Sequence, residues 1–112
     1  MTDKRTPLAD ILTELEATID ARRGADPKAS YTASLLAAGP ARCAKKFGEE
    51  AIEAAIAGAT GDRTALAQEA GDALFHLLVM LAAANVSMDE VATVLAARRG
   101  ASGHDEKAAR PD

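Results

Sequence analysis

The chain has 112 residues, 48% of them apolar but only 3% aromatic, and its 13 basic and 17 acidic side chains give a formal net charge of −4. That length makes one domain, 1–112, with a core small enough that self-association is a useful way to bury more surface. The lack of a basic block argues against a nucleic-acid groove, an alanine-rich, aromatic-poor make-up disfavours a β-sandwich, and the single cysteine, Cys43, excludes an intramolecular disulfide and fits a reducing cytoplasm.

The opening "MTDKRTPLADIL" has no apolar signal-peptide core. Pro7, at home in the first turn of a helix, starts a segment through "LADILTELEATIDARR". Leu8, Ile11, Leu12, Leu15 and Ile19 recur there at spacings of three and four and form one apolar stripe. "GADPKAS" breaks the chain, and Ser30 is placed to cap a short helix, "YTASLLAAG", ended by Gly39. Pro40 begins the next helix, which runs to about Ala57 and is stopped by "GATGD". Asp62 is a plausible N-cap for the longest helix, Arg63 to about Ala84. The longest apolar run within it, Ala73 to Ala84, contains His76 and is too short to span a bilayer. Ser87 and Glu90 fit a capping box, so a last helix runs from Met88 to about Arg99. The remainder, 100–112, has the composition of a flexible tail. No strand pattern and no repeat is present. These segments predict an all-α fold, an antiparallel bundle of four to five helices in a soluble protein with no membrane attachment.

Two of these helices carry acidic clusters. At about 100° per residue, Glu49, Glu50 and Glu53 fall within roughly 100° of one another, with Arg42 and Lys46 on the same face toward the N-terminus. On the following helix Glu69 and Asp72 share a face with His76, and large apolar residues cover nearly all other directions. A helix apolar almost all round is buried by its neighbours, and carboxylates at its head need compensation by basic groups or a metal. The pairs Glu50/Glu53 and Glu69/Asp72 each set two carboxylates about one turn, near 5 Å, apart. Oxygen-only ligands suit Mg²⁺, Mn²⁺ or Ca²⁺ rather than zinc. Gly48 and Gly71 stand inside the two helices, each at a cost of roughly 1 kcal/mol against alanine, and close approach of the two backbones would account for them. By spacing alone a solvated acidic face stays open beside the metal site. His76 lacks the Glu-x-x-His spacing of a di-iron bundle and reads as a buried histidine bonded to a carboxylate or carbonyl. Cys43 reads as a packing residue.

Three stretches together, "SYTASLLAAGPARCAKKFGEEAIEAAIA", "EAGDALFHLLVMLAAANVSMDEV" and "RRGASGHDEKAAR", resemble the phosphoribosyl-ATP pyrophosphatases of the all-α MazG-type superfamily, from about Leu8 to Arg110. The resemblance implies a Mg²⁺-dependent homodimer that removes pyrophosphate from phosphoribosyl-ATP in the second step of histidine biosynthesis. It implies Glu50, Glu53, Glu69 and Asp72 as metal ligands, with Glu49 or Glu50 as the group that takes the proton from water. It also implies Lys45 and Lys46, with Lys107 and Arg110 from the "SGHDEKAAR" tail, as phosphate contacts. Phe47 and Ser34 are the departures, standing where Val or Leu and a basic residue are expected. A house-cleaning nucleotide pyrophosphatase would use the same acidic residues, and a non-catalytic helical dimerisation module would leave them solvated. The cyclohydrolase fused to many relatives finds neither room nor a cysteine–histidine zinc cluster here, which predicts a stand-alone pyrophosphatase.

Overall fold

Side-chain caps set three of the five helix starts in the computed structural model, which describes residues 7–100. The elements are α1 (Leu8–Ala21), α2 (Tyr31–Ala38), α3 (Pro40–Thr60), α4 (Arg63–Ala83) and α5 (Met88–Ala96), with no strand among the described residues. Ser30 accepts from the Ala33 N–H at 3.1 Å and Asp62 from the Ala65 N–H at 3.0 Å. At α5 the capping box closes in both directions, Ser87 accepting from the Glu90 N–H at 3.2 Å and Glu90 from the Ser87 N–H at 2.8 Å. Each cap satisfies a donor that would otherwise be orphaned in the first turn. Lys107 and Arg110, with the rest of the predicted tail beyond Gly100, lie outside the described residues.

Three helix ends differ from the sequence expectation, the first being α1, which stops at Ala21 rather than Arg23. α3 continues past Ala57 and through Gly58 to Thr60, because Gly61, at φ 77°, is the residue that takes the left-handed conformation ending the helix. α5 stops at Ala96 rather than near Arg99. Pro7 sits at the N-cap of α1, one residue ahead of the first turn. Gly39, at φ 96°, both closes α2 and opens α3.

The core draws on four helices: Ile19 of α1, Leu35 of α2, Cys43 of α3, and Leu78 and Val79 of α4. Cys43 is 1% exposed and its Sγ donates to the Leu35 carbonyl at 3.2 Å. Burial pushes its thiol pKa up, as befits an inert packing residue. α3 and α4, joined by Gly61 and Asp62 alone, make the most extensive interhelical contact, and α4 also receives α1 and α2. At the far end of α4 the Arg23 guanidinium donates to the Ala82 carbonyl at 2.6 Å while paired with Asp20.

The all-round apolar pattern of α4 is only half answered. Its buried residues are His76, Leu78 and Val79, all in the C-terminal half, whereas Leu66 is 39% exposed. Among the described residues, neighbours cover only the C-terminal half of this helix well. With a mean hydropathy of 1.3 over 18 residues, α4 is long and apolar enough to cross a membrane by length and composition. It packs against α1, α2 and α3, and 17% of that apolar window is buried.

Candidate active site

The α3–α4 hairpin brings the two predicted acidic pairs face to face. Carboxylate oxygens of Glu50, Glu69 and Asp72 lie within 4.8 Å of one another. Glu50 and Glu69 are half-buried and Asp72 is exposed. Glu53, also exposed, stands close enough to accept a hydrogen bond from Glu50 or Glu69 when either of these is protonated. Burial first, and then the adjacent Glu53 carboxylate, hold both Glu50 and Glu69 above the usual carboxylate range. Three of the four predicted metal ligands therefore converge, and Glu53 adjoins them.

Glu49 is not part of that cluster. It turns to Lys46, with Nζ to Oε1 at 3.2 Å, and this bond and charge hold its carboxyl below the usual range. The Lys46 ammonium is raised in turn, chiefly by the Glu49 bond. Lys45 is exposed on the same helix and its charge also reaches Glu49.

The expected role of the internal glycines is not borne out. A Cβ added at Gly48 or Gly71 would meet no atom within 4 Å, so neither residue is what lets α3 and α4 approach. The glycine in interhelical contact is Gly58, whose added Cβ would lie 3.8 Å from Leu66 Cδ1.

His76 is 7% exposed and bonds as expected to a carbonyl, its Nδ1 lying 2.9 Å from the Asp72 oxygen. Its other nitrogen, Nε2, is 3.0 Å from the Tyr31 hydroxyl at the start of α2. Tyr31 was not singled out by sequence reasoning. The two residues are 45 positions apart, and no periodicity connects them. The sole hint is that the chain's one tyrosine directly follows a helix cap.

The donor set fits a hard divalent cation. Glu69 Oε2 is withdrawn from solvent and has no hydrogen-bond partner. A buried carboxylate oxygen facing further carboxylates without a donor is costly as it stands, and a cation compensates for it. Neither the Lys46–Glu49 nor the Arg23–Asp20 ion pair reaches this oxygen. A cavity of about 480 Å³ lies elsewhere, between α1, the end of α4 and the start of α5, and the acidic cluster is not among its lining residues.

Comparison with known proteins bears on the same segments. The family model described as "Phosphoribosyl-ATP pyrophosphohydrolase" matches residues 12–99, which take in all of α2 to α5. A curated relative from Ruegeria pomeroyi, named phosphoribosyl-ATP pyrophosphatase, is 60% identical over 101 residues, covering 90% of this chain and 96% of its own. Relatives of the same name from Cereibacter sphaeroides and Dinoroseobacter shibae are 60% and 59% identical over 100 residues, 89% of this chain and 97% and 98% of theirs. A match across the whole hairpin and nearly the full length of each relative places this chain in the phosphoribosyl-ATP pyrophosphohydrolase family.

Proposed function

We propose that the chain hydrolyses phosphoribosyl-ATP to phosphoribosyl-AMP and pyrophosphate, the second step of histidine biosynthesis, with Mg²⁺ held by Glu50, Glu53, Glu69 and Asp72. The activity is the one the relatives carry in their names, at about 60% identity over nearly their full length. The observation that carries the metal is the Glu69 Oε2 atom, buried without a donor among three further carboxylates. Bound there, the cation supplies charge neutralisation for the triphosphate and lowers the pKa of water. Glu50 lies in the carboxylate cluster and Glu49 does not, so of the two candidates Glu50 is the one placed to take the proton from water. Glu49, held low by Lys46, keeps that ammonium in place on the same helix. Lys45 and Lys46 stabilise negative charge on the phosphates, and Lys107 and Arg110 of the tail complete that set.

Pyrophosphate release from phosphoribosyl-ATP, measured beside a panel of nucleoside triphosphates with and without Mg²⁺, tests this. Turnover is expected with phosphoribosyl-ATP alone and only with the cation. Comparable kcat/KM on deoxynucleotides would move the chain to the house-cleaning pyrophosphatases, and turnover in excess EDTA would remove the metal from the scheme.

The working unit in this proposal is a cytoplasmic homodimer of a single all-α domain. Ile52 and Ile56, one turn apart on α3, are 63% and 58% exposed, and Val94 and Leu95 of α5 are 52% and 60% exposed. Apolar surface of this extent on a small chain suits a subunit interface. The double variant Ile52→Glu/Ile56→Glu is expected to sediment as a monomer where the parent sediments as a dimer. A parent chain of monomer mass at micromolar concentration would exclude the dimer.

A further inference from the structure

We infer that Tyr31 is a positioning residue for the Asp72 turn of α4, acting through His76. The inference rests on the metal-site reading above and deepens it. A carbonyl oxygen can only accept, so the 2.9 Å contact between His76 Nδ1 and the Asp72 oxygen puts the imidazole proton on Nδ1. Nε2 is then bare and accepts the Tyr31 hydroxyl at 3.0 Å. The result is a hydrogen-bond chain with one direction, from the first residue of α2, through the imidazole, to the backbone of a candidate ligand.

Several features make this chain hard to replace. His76 is 7% exposed, so water has poor access to Nε2 if the hydroxyl is removed. Phe75 and Tyr31 both meet the imidazole edge to face, with centroids 5.1 and 5.9 Å away, which restricts the ring's orientation. The Asp72 carbonyl also serves the helical N–H of residue 76, so a donated Nδ1 proton adds a second bond on the same turn. The tether thus fixes α2 and α4 beside α3 one turn from the place where the Asp72 carboxylate meets Glu50 and Glu69. Groups outside the ligand shell that hold ligands in position contribute to metal affinity in this way.

The test is Mn²⁺ binding to the full chain, followed by the loss of the free-ion electron paramagnetic resonance signal. Tyr31→Phe is expected to bind Mn²⁺ roughly tenfold more weakly, with unchanged helix content and a nucleotide KM within about twofold of the parent at saturating Mg²⁺. His76→Asn keeps a donor where Nδ1 stands and offers nothing at Nε2. By itself it should show a loss of similar size, so the result does not hang on one variant's folding. In that background Tyr31→Phe should cost nothing further, because the bond it removes is already gone. Mn²⁺ affinity within twofold of the parent in Tyr31→Phe, or the full loss persisting in the His76→Asn background, overturns the positioning role while leaving the metal site intact. A parent chain that binds no Mn²⁺ overturns the site and the role together.

Discussion

Glu69→Gln is expected to lower turnover of phosphoribosyl-ATP by about 10³-fold, since the charge stabilisation a bound cation supplies is worth several kcal/mol and each 1.4 kcal/mol is tenfold in rate. The same variant should melt higher than the parent when metal is absent. Glu69 is held above the usual carboxylate range by burial and by Glu53, and its Oε2 has no partner, so its charge opposes folding until a cation arrives. Glutamine keeps the shape and removes that charge. Mg²⁺ should raise the melting temperature of the parent and leave that of Glu69→Gln nearly unmoved. Calorimetry in EDTA and in Mg²⁺, beside a steady-state assay, reads all three. A variant with parental turnover, or one that melts lower than the parent in EDTA, would remove Glu69 from the metal site.

The metal-free protein is expected to lose stability as pH rises from the carboxylate range toward neutrality. Glu50 and Glu69 bind protons more tightly in the folded chain than in the unfolded one. The native state therefore holds more protons, and the unfolding free energy falls with pH. Their contribution is complete below the ordinary glutamate value of 4.5 and is lost as pH climbs through the raised folded values. Glu49 runs the other way, contributing above 4.5 and losing that contribution as pH falls through its lowered value. Its side chain is 48% exposed, and a surface pair of that kind carries little. With saturating Mg²⁺ the slope should reverse, because the cation binds the deprotonated carboxylates. Melting temperatures between pH 4.5 and 8, with EDTA and with Mg²⁺, test this; a flat or rising curve in EDTA would contradict it.

Much of the molecule was legible in local patterns. Ser30, Asp62 and the Ser87/Glu90 pair announce three helix starts because a cap is a contact within four residues of sequence. Glu50 and Glu69, with Asp72, converge although spacing alone left a solvated face open, because the two-residue turn folds α4 back along α3. Other features depend on distance or supply, which local pattern does not encode. Glu49 adjoins Glu50 in sequence but lies about 100° around the helix, and it pairs with Lys46 instead of joining the cluster. Tyr31 meets His76 only because α2 docks against α4. The apolar girth of α4 states what the helix needs, while its mostly exposed first half records what the other described residues cover.

The joint of Gly61 and Asp62 between α3 and α4 also bears on the order in which the molecule forms. A loop this short costs little entropy to close, and contacts between successive helices form early. Every carboxylate of the proposed metal site lies on this hairpin, so if the hairpin forms before α1 docks, their mutual repulsion is met on the way up the folding barrier. A cation that relieves repulsion already present at the barrier speeds folding as well as prolonging the native state. On the proposed metal site, a bound cation would then assist the birth of this chain as well as its chemistry.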